Sequence, residues 1–208
     1  MRSVSMRYED GGVQYCAECL QSRLNENYLN YGGKIMVYLM RHGQTDWNLF
    51  KRANGCTDTF LNKTGIEQGR LLAEELKDVR FDACYCSPQA RARQFCEIVY
   101  KGSIEFDDRL VEINCGEFEG MEETEEMGKS FLQAIQTGER GTESISAFIK
   151  RNAELCDEII EVQNGKNVLI VTHAANAWVI NYCFNGKPKD YDFSKRVVDS
   201  GKYILLAN

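Results

Sequence analysis

Apolar positions along the chain fall into runs of two kinds. Three runs are short and unbroken: "KIMVYLM" (34–40), "FDACYCS" (81–87) and "NVLIVT" (167–172). Each predicts a strand buried on both faces, because a strand with one wet face would alternate apolar with polar. Elsewhere the apolar residues recur every three or four positions. "NKTGIEQGRLLAEELKD" carries Leu71, Leu72, Ala73 and Leu76 on one stripe, and Thr64 three residues before Glu67 predicts a capping box at its start. "QARARQFCEIVYK" follows Pro88, a residue that suits a helix start. "TESISAFIKRNAELCDEIIEVQ" puts Ile145, Phe148, Ile149, Leu155, Ile159 and Ile160 at helical spacing, and "AANAWVINYCF" follows the third strand. The tail, "KRVVDSGKYILLAN", predicts one or two further strands. Strands alternating with helices predict an α/β layered fold with a mainly parallel sheet.

Residues 1–33 do not share this regularity. They hold two Gly-Gly steps and one weak helical pattern (Val13, Cys16, Leu20, Leu24), and are read as an N-terminal appendage to a domain spanning 34–208. At 208 residues and 43% hydrophobic, the chain has enough apolar surface for one sizeable core. A net charge of −6 argues against a nucleic-acid surface and a polybasic membrane patch. No apolar run reaches membrane-spanning length, and "MRSVSMRYEDGGVQ" lacks the apolar segment of a secretory signal. Nine cysteines, several in apolar settings such as Cys84 and Cys86, then predict a reducing cytoplasm. Cys16 and Cys19 have the spacing of half a zinc site, but no second close Cys/His pair completes it. Neither a metal nor a cofactor is expected.

Parallel α/β sheets bind ligands beyond the carboxyl ends of their strands. His42, in "YLMRHGQTDWN", follows the first predicted strand; Ser87 to Arg91 follow the second; His173 follows the third. The chain has only two histidines, and both therefore fall on one edge. With Arg41, Arg91 and Glu112 they supply the parts of a pocket for a tetrahedral dianion. Guanidinium forks match phosphate oxygens, and nearby cations favour neutral, nucleophilic imidazole. Glu112, in "RLVEINCGEFEG", is the candidate acid for a leaving oxygen. Glu117 and Glu119 are read as surface carboxylates, and Trp47 and Trp178 as packing residues. Arg91 and Arg93 compete, since two residues apart on a helix they face different sides.

These segments together resemble the histidine phosphatase superfamily, the phosphoglycerate mutase-like proteins, from about Met36 to the C-terminus. "RHGQTDWN" is similar to the family's Arg-His-Gly-Glu/Gln-Thr-x-x-Asn, and "GCTDTFLNKTGIEQG" to the stretch that follows it. "SPQARARQ" resembles Ser-x-x-x-Arg-Ala-x-x-Thr, "LVEINCGEFEG" the acid-bearing segment, and "VTHA" the second histidine motif. The resemblance implies a three-layer α/β/α sandwich and chooses Arg91 over Arg93. It implies that His42 becomes a phosphohistidine, that Arg41, Asn48, Arg91 and His173 hold the phosphoryl oxygens, and that Glu112 is the acid. No metal takes part in such a mechanism. The chain departs from the pattern at Asn62, at Phe95 and in the Ala-Ala after His173.

Within the family, a mutase must retain a bisphosphorylated intermediate and needs extra cations, carried on an aromatic, basic segment followed by a long insertion. Here Glu112 to Glu126 holds seven glutamates and neither Lys nor Arg, and only 61 positions (173 − 112) separate Glu112 from His173. The expectation is a phosphomonoesterase acting on a small phosphorylated metabolite, with a phosphoglycerate mutase or a non-catalytic phospho-ligand binder as alternatives. Residues 121–141 are a candidate lid, and Lys51 and Arg52 a candidate second anion contact. The substrate and the oligomeric state stay open.

Overall fold

The three unbroken apolar runs form the middle of a five-stranded sheet. In the computed structural model, which describes residues 35–163, 165–186 and 197–207, they are β1 (Met36–Arg41), β2 (Ala83–Cys86) and β4 (Asn167–Thr172). A two-residue β3 (Glu105–Phe106) and β5 (Tyr203–Ala207) complete the order β3-β2-β4-β1-β5. Every pairing is parallel except that of β5 with β1. Five longer helices accompany the strands: α2 (Lys63–Glu75), α3 (Ala90–Val99), α4 (Glu125–Ala134), α5 (Ile145–Val162) and α6 (Ala174–Asn185), after a four-residue α1 (Asp46–Leu49). The appendage and its Cys16 and Cys19 lie outside the described residues.

Continuous hydrophobicity in the central strands is explained by two cores. Successive side chains of a strand point to opposite faces. Val37, Leu39, Tyr85, Val168 and Ile170 pack with Phe148, Ile159, Val179 and Ile180 of α5 and α6. Met40, Cys84, Cys86, Leu169 and Val171 pack with Leu72, Leu76 and Phe95 of α2 and α3. The three-layer sandwich expected from the sequence is the one found. No helix among the described residues is long and apolar enough to cross a membrane.

Helix α2 begins two residues earlier than its sequence pattern suggests. Asn62, not Thr64, is the N-cap: its side-chain oxygen accepts the Gly65 N–H at 3.0 Å. Asn is at least as good an N-cap as Thr, so the departure at this position conserves the local chemistry. The start of α2 also touches the loop after β1. A Cβ on Gly43 would lie 2.5 Å from the Gly65 carbonyl oxygen, and a Cβ on Gly65 would lie 2.2 Å from that of Gln44. Two backbones meet here with no room for a side chain, which fixes the path of the segment after His42.

This contact sets up an opposed pair of substitutions. Gly65→Ala pushes a methyl into backbone that cannot swing aside and should lose about 1–3 kcal/mol of stability. Gly128→Ala, inside α4 with nothing within 4 Å of the new Cβ, should gain about 0.5–1 kcal/mol through helix entropy. Denaturant unfolding checks both signs, and shifts in the same direction would contradict the packing described.

Candidate active site

β1, β4 and β2 lie side by side and end at one edge, where Arg41 pairs with Thr172 and Cys86 with Val171. The chain after each strand stays tied to its neighbour. His42 N–H donates to the Thr172 carbonyl at 3.0 Å, and Ser87 N–H to that of Val171 at 3.0 Å. Parallel register thus brings His42, Ser87 and His173 together from positions far apart in sequence.

His42 is 3% exposed, and its ring centroid stands 5.1 Å from that of His173. Its Nδ1 lies 2.7 Å from the Gly43 carbonyl oxygen, which only accepts hydrogen bonds. Nδ1 therefore carries the proton and Nε2 keeps a bare lone pair. Burial first, then the guanidinium groups of Arg91 and Arg41, hold this imidazole well below the usual histidine pKa of 6.5. The sequence foresaw the cations; the larger effect is desolvation, which disfavours the charged form.

His173 is fully buried, and its Nε2 lies 2.8 Å from Ser87 Oγ. That hydroxyl also accepts the Gln89 N–H at 3.4 Å. The other ring nitrogen of His173, Nδ1, is a buried atom with no hydrogen-bond partner among the described residues. Burial, then Arg91, lowers the pKa of this histidine well below 6.5 as well.

Arg91 has no exposed surface. Nη1 donates to the Thr57 carbonyl at 2.9 Å, and Nη2 to the Gly55 carbonyl at 2.8 Å and to Gln89 Oε1 at 3.3 Å. The loop bearing those carbonyls is pinned by Glu119. This carboxylate accepts the N–H groups of Cys56 at 2.6 Å, Thr57 at 2.7 Å and Cys115 at 3.3 Å, together with the Thr57 hydroxyl. Gly55 passes at φ +51, where a Cβ would collide with Glu119. Reading Glu119 as a surface carboxylate is thus corrected: it is a tertiary anchor, because three donors from the distant 56–57 segment and one from Cys115 converge on it. Glu117 is an exposed carboxylate paired with Arg140 at 3.1 Å, and Arg93 points outward toward Glu97.

Glu112 is held from several sides. Its N–H donates to Gln89 Oε1 at 2.9 Å, and its carbonyl accepts Arg151 Nη2 at 3.3 Å. The carboxylate accepts Ile113 N–H at 3.0 Å and, at the start of α6, Ala175 N–H at 3.4 Å. Asn48 closes the capping box of α1: its Oδ1 accepts the Thr45 N–H at 3.1 Å. With the oxygen so engaged, its Nδ2 is the atom left to donate outward.

Arg41, His42, Asn48, Arg91 and Glu112 line one pocket of about 330 Å³. His173 is brought to the same place, its ring edge-on to that of His42, but is not among the lining side chains. The 121–141 stretch supplies a wall through Met127, Phe131 and Leu132 of α4, and Trp178 and the Ala174–Ala175 pair add to it. Trp178 therefore faces the pocket as well as packing beside Tyr182. Lys51 and Arg52 do not line it, and Arg52 Nη1 donates to the Gly120 carbonyl at 2.9 Å. Among the described residues no group of three His, Cys, Asp or Glu side chains is placed to hold a metal ion.

Sequence reasoning missed Gln89, which joins Arg91, Glu112 and Gly55 through one amide, and Asn176, whose Nδ2 donates to the Val111 carbonyl at 3.1 Å and to Asn152 at 3.0 Å. A polar residue inside the apolar "AANAWVINYCF" was the one available signal for Asn176. None marked Gln89.

Residues 37–198 match the family model of the histidine phosphatase superfamily (branch 1). The chain is 34% identical to the uncharacterized phosphatase PhoE of Bacillus subtilis over 67% of its own length and 72% of that protein's. It is 28% identical to a probable phosphoglycerate mutase of Erwinia tasmaniensis, over 74% and 76%. Among solved structures, the alpha-ribazole phosphatase from Shigella flexneri superposes with a TM-score of 0.71 at 26% identity, covering 82% of this chain and 89% of the other.

Both histidines have depressed pKa values, so the unfolded chain binds more protons below about pH 6.5. Their contribution to stability is present above that pH and is lost on acidification. The melting temperature should fall between about pH 8 and about pH 5, and more steeply in the parent than in a His42→Asn, His173→Asn variant. Equal slopes in the two proteins would contradict burial as neutral imidazoles.

Proposed function

The chain belongs to the histidine phosphatase superfamily, and from that premise we propose that it is a metal-independent phosphomonoesterase acting through a phosphohistidine at His42. One observation carries the reading: a neutral imidazole with a bare Nε2, on the floor of a pocket flanked by two buried guanidinium groups. The catalytic domain on this reading is 34–208.

A phosphomonoester dianion enters with its oxygens toward Arg41, Arg91 and the Asn48 amide. The Nε2 lone pair of His42 attacks phosphorus as the bond from phosphorus to the alcohol oxygen breaks, and Glu112 passes its proton to that oxygen. The enzyme then carries an N–P bond and an ionised Glu112. Water attacks phosphorus, Glu112 takes a proton from it, the N–P bond breaks, and inorganic phosphate leaves with both side chains restored. The guanidinium groups and the amide stabilise charge on the equatorial oxygens, the role that preorganised donors play in phosphoryl transfer. On this reading His173 carries its proton on the unpartnered Nδ1 and donates it to a further phosphoryl oxygen, because a buried polar atom calls for a partner. The substrate is a small phosphorylated metabolite, in keeping with a pocket of about 330 Å³. A cytoplasmic location accords with seven described cysteines that are all free thiols.

The mutase reading draws on the Erwinia tasmaniensis relative. Against it, the described lining residues offer only Arg41 and Arg91 as cations, both beside His42. A binding protein without turnover would have no use for an acid placed in the same pocket as the nucleophile.

Rapid quenching with labelled p-nitrophenyl phosphate, chelator present, should trap an acid-labile, base-stable adduct on His42. His42→Ala should fall to background, and Glu112→Gln should slow hydrolysis of alkyl esters about 10²–10⁴-fold. Label on another residue, turnover that stops with chelator, or isomerisation of 3-phosphoglycerate in place of phosphate release would overturn the proposal.

A further inference from the structure

Resting on the phosphatase reading, we infer that the alcohol released from phosphate is an uncharged, largely apolar group of one or two rings, not a carboxylate-bearing or polyhydroxylated one. The pocket has two unlike halves. Arg41, His42, Asn48 and Arg91 gather at the phosphoryl end. Much of the remaining lining is Ile113, Met127, Phe131, Leu132 and Trp178. That lining is fixed by tertiary packing: Met127, Phe131 and Leu132 sit against the main core, and the Phe131 ring meets Phe118 edge to face at 5.6 Å. Helix α4 turns its charged residues, such as Glu125 and Lys129, to solvent and pairs them there at 2.6 Å.

Charge and hydrogen bonding select in the same direction. Among the described lining residues no cation stands apart from the two arginines at the phosphoryl end, while Glu112 and Glu123 are both carboxylates. A carboxylate on the leaving group would lose water against apolar side chains without gaining a counter-charge. A sugar needs partners for several hydroxyls. Of the neutral polar side chains lining the pocket away from His42, Asn54 Oδ1 already accepts the Thr59 hydroxyl at 2.8 Å and the Thr124 hydroxyl oxygen accepts the Met127 N–H as the N-cap of α4. Aromatic and aliphatic surface has the opposite balance, since its burial is favourable in proportion to area. A volume of about 330 Å³ lies near the lower end of small-molecule pockets, about 300–1,000 Å³, which sets the size at one or two rings beside the phosphate.

The test compares esters of primary alcohols, so that leaving-group acidity is matched: benzyl and naphthylmethyl phosphate against glycerol 3-phosphate, phosphoserine, 3-phosphoglycerate and glucose 6-phosphate. For the unaltered full chain, kcat/KM should favour the aryl-methyl esters by about a hundredfold, mostly through KM. Met127→Lys should lower kcat/KM for naphthylmethyl phosphate about tenfold or more and raise it for 3-phosphoglycerate. Polar esters turned over as fast as the aryl-methyl ones by the unaltered chain would overturn this inference while leaving the phosphatase reading intact. If none of the esters is hydrolysed, both fall.

Discussion

A guanidinium with no exposed surface must find its hydrogen bonds inside the protein, and Arg91 finds them on carbonyls and an amide, not on a paired carboxylate. The Thr57 and Gly55 carbonyls and Gln89 Oε1 take its two Nη atoms. Those acceptors carry no net charge, so the positive charge is held in place but not cancelled. This leaves a site that depresses the pKa of both imidazoles and is suited to an anion of higher charge. The surrounding detail follows from that requirement. Glu119 braces the 55–57 loop, Gly55 adopts a positive φ where a side chain would strike Glu119, and the Gln89 oxygen that accepts from Arg91 also accepts the backbone N–H of Glu112.

Sheet order turns this local arrangement into a pocket. β4 lies between β1 and β2, so residues following three strands that are far apart in the chain meet over one edge. His173 is thereby set beside His42, with its Nε2 against the Ser87 hydroxyl. Asn176 ties the first turn of α6 to the Val111 carbonyl, beside the acid-bearing segment. Helix α4 then closes the far side with apolar residues. The buried charged and polar groups of the pocket and its apolar α4 side chains therefore come from different elements.

Several features were readable from residue order because they depend on short-range rules. Unbroken apolar runs marked β1, β2 and β4, and three- and four-residue spacing marked α2, α3, α5 and α6. Asn48 was identified by its place in a motif, and the structure supplies the reason that its amide is turned outward: Thr45 engages its oxygen. Failures came where a local rule had two solutions. Thr64 and Asn62 are both good N-caps, and the close approach of Gly43 and Gly65 accompanies a start at Asn62. Glu119 sits in a run of acidic residues that reads as solvated surface, yet it is withdrawn from that role by four donors, three of them more than fifty residues away in Cys56 and Thr57. The two-residue β3 and four-residue α1 are too short to produce a period.

By itself the sequence determined the layered α/β architecture and pointed to side chains that meet at one edge of the sheet, since apolar period and motif order are written along the chain. Tertiary structure decided which nitrogen of His42 is bare, that burial outweighs the arginines in keeping both histidines neutral, and that apolar side chains of α4 join the pocket lining. Those properties belong to the space between elements: tautomer, desolvation and pocket lining depend on which distant atoms come within a few ångströms, and no local pattern records that.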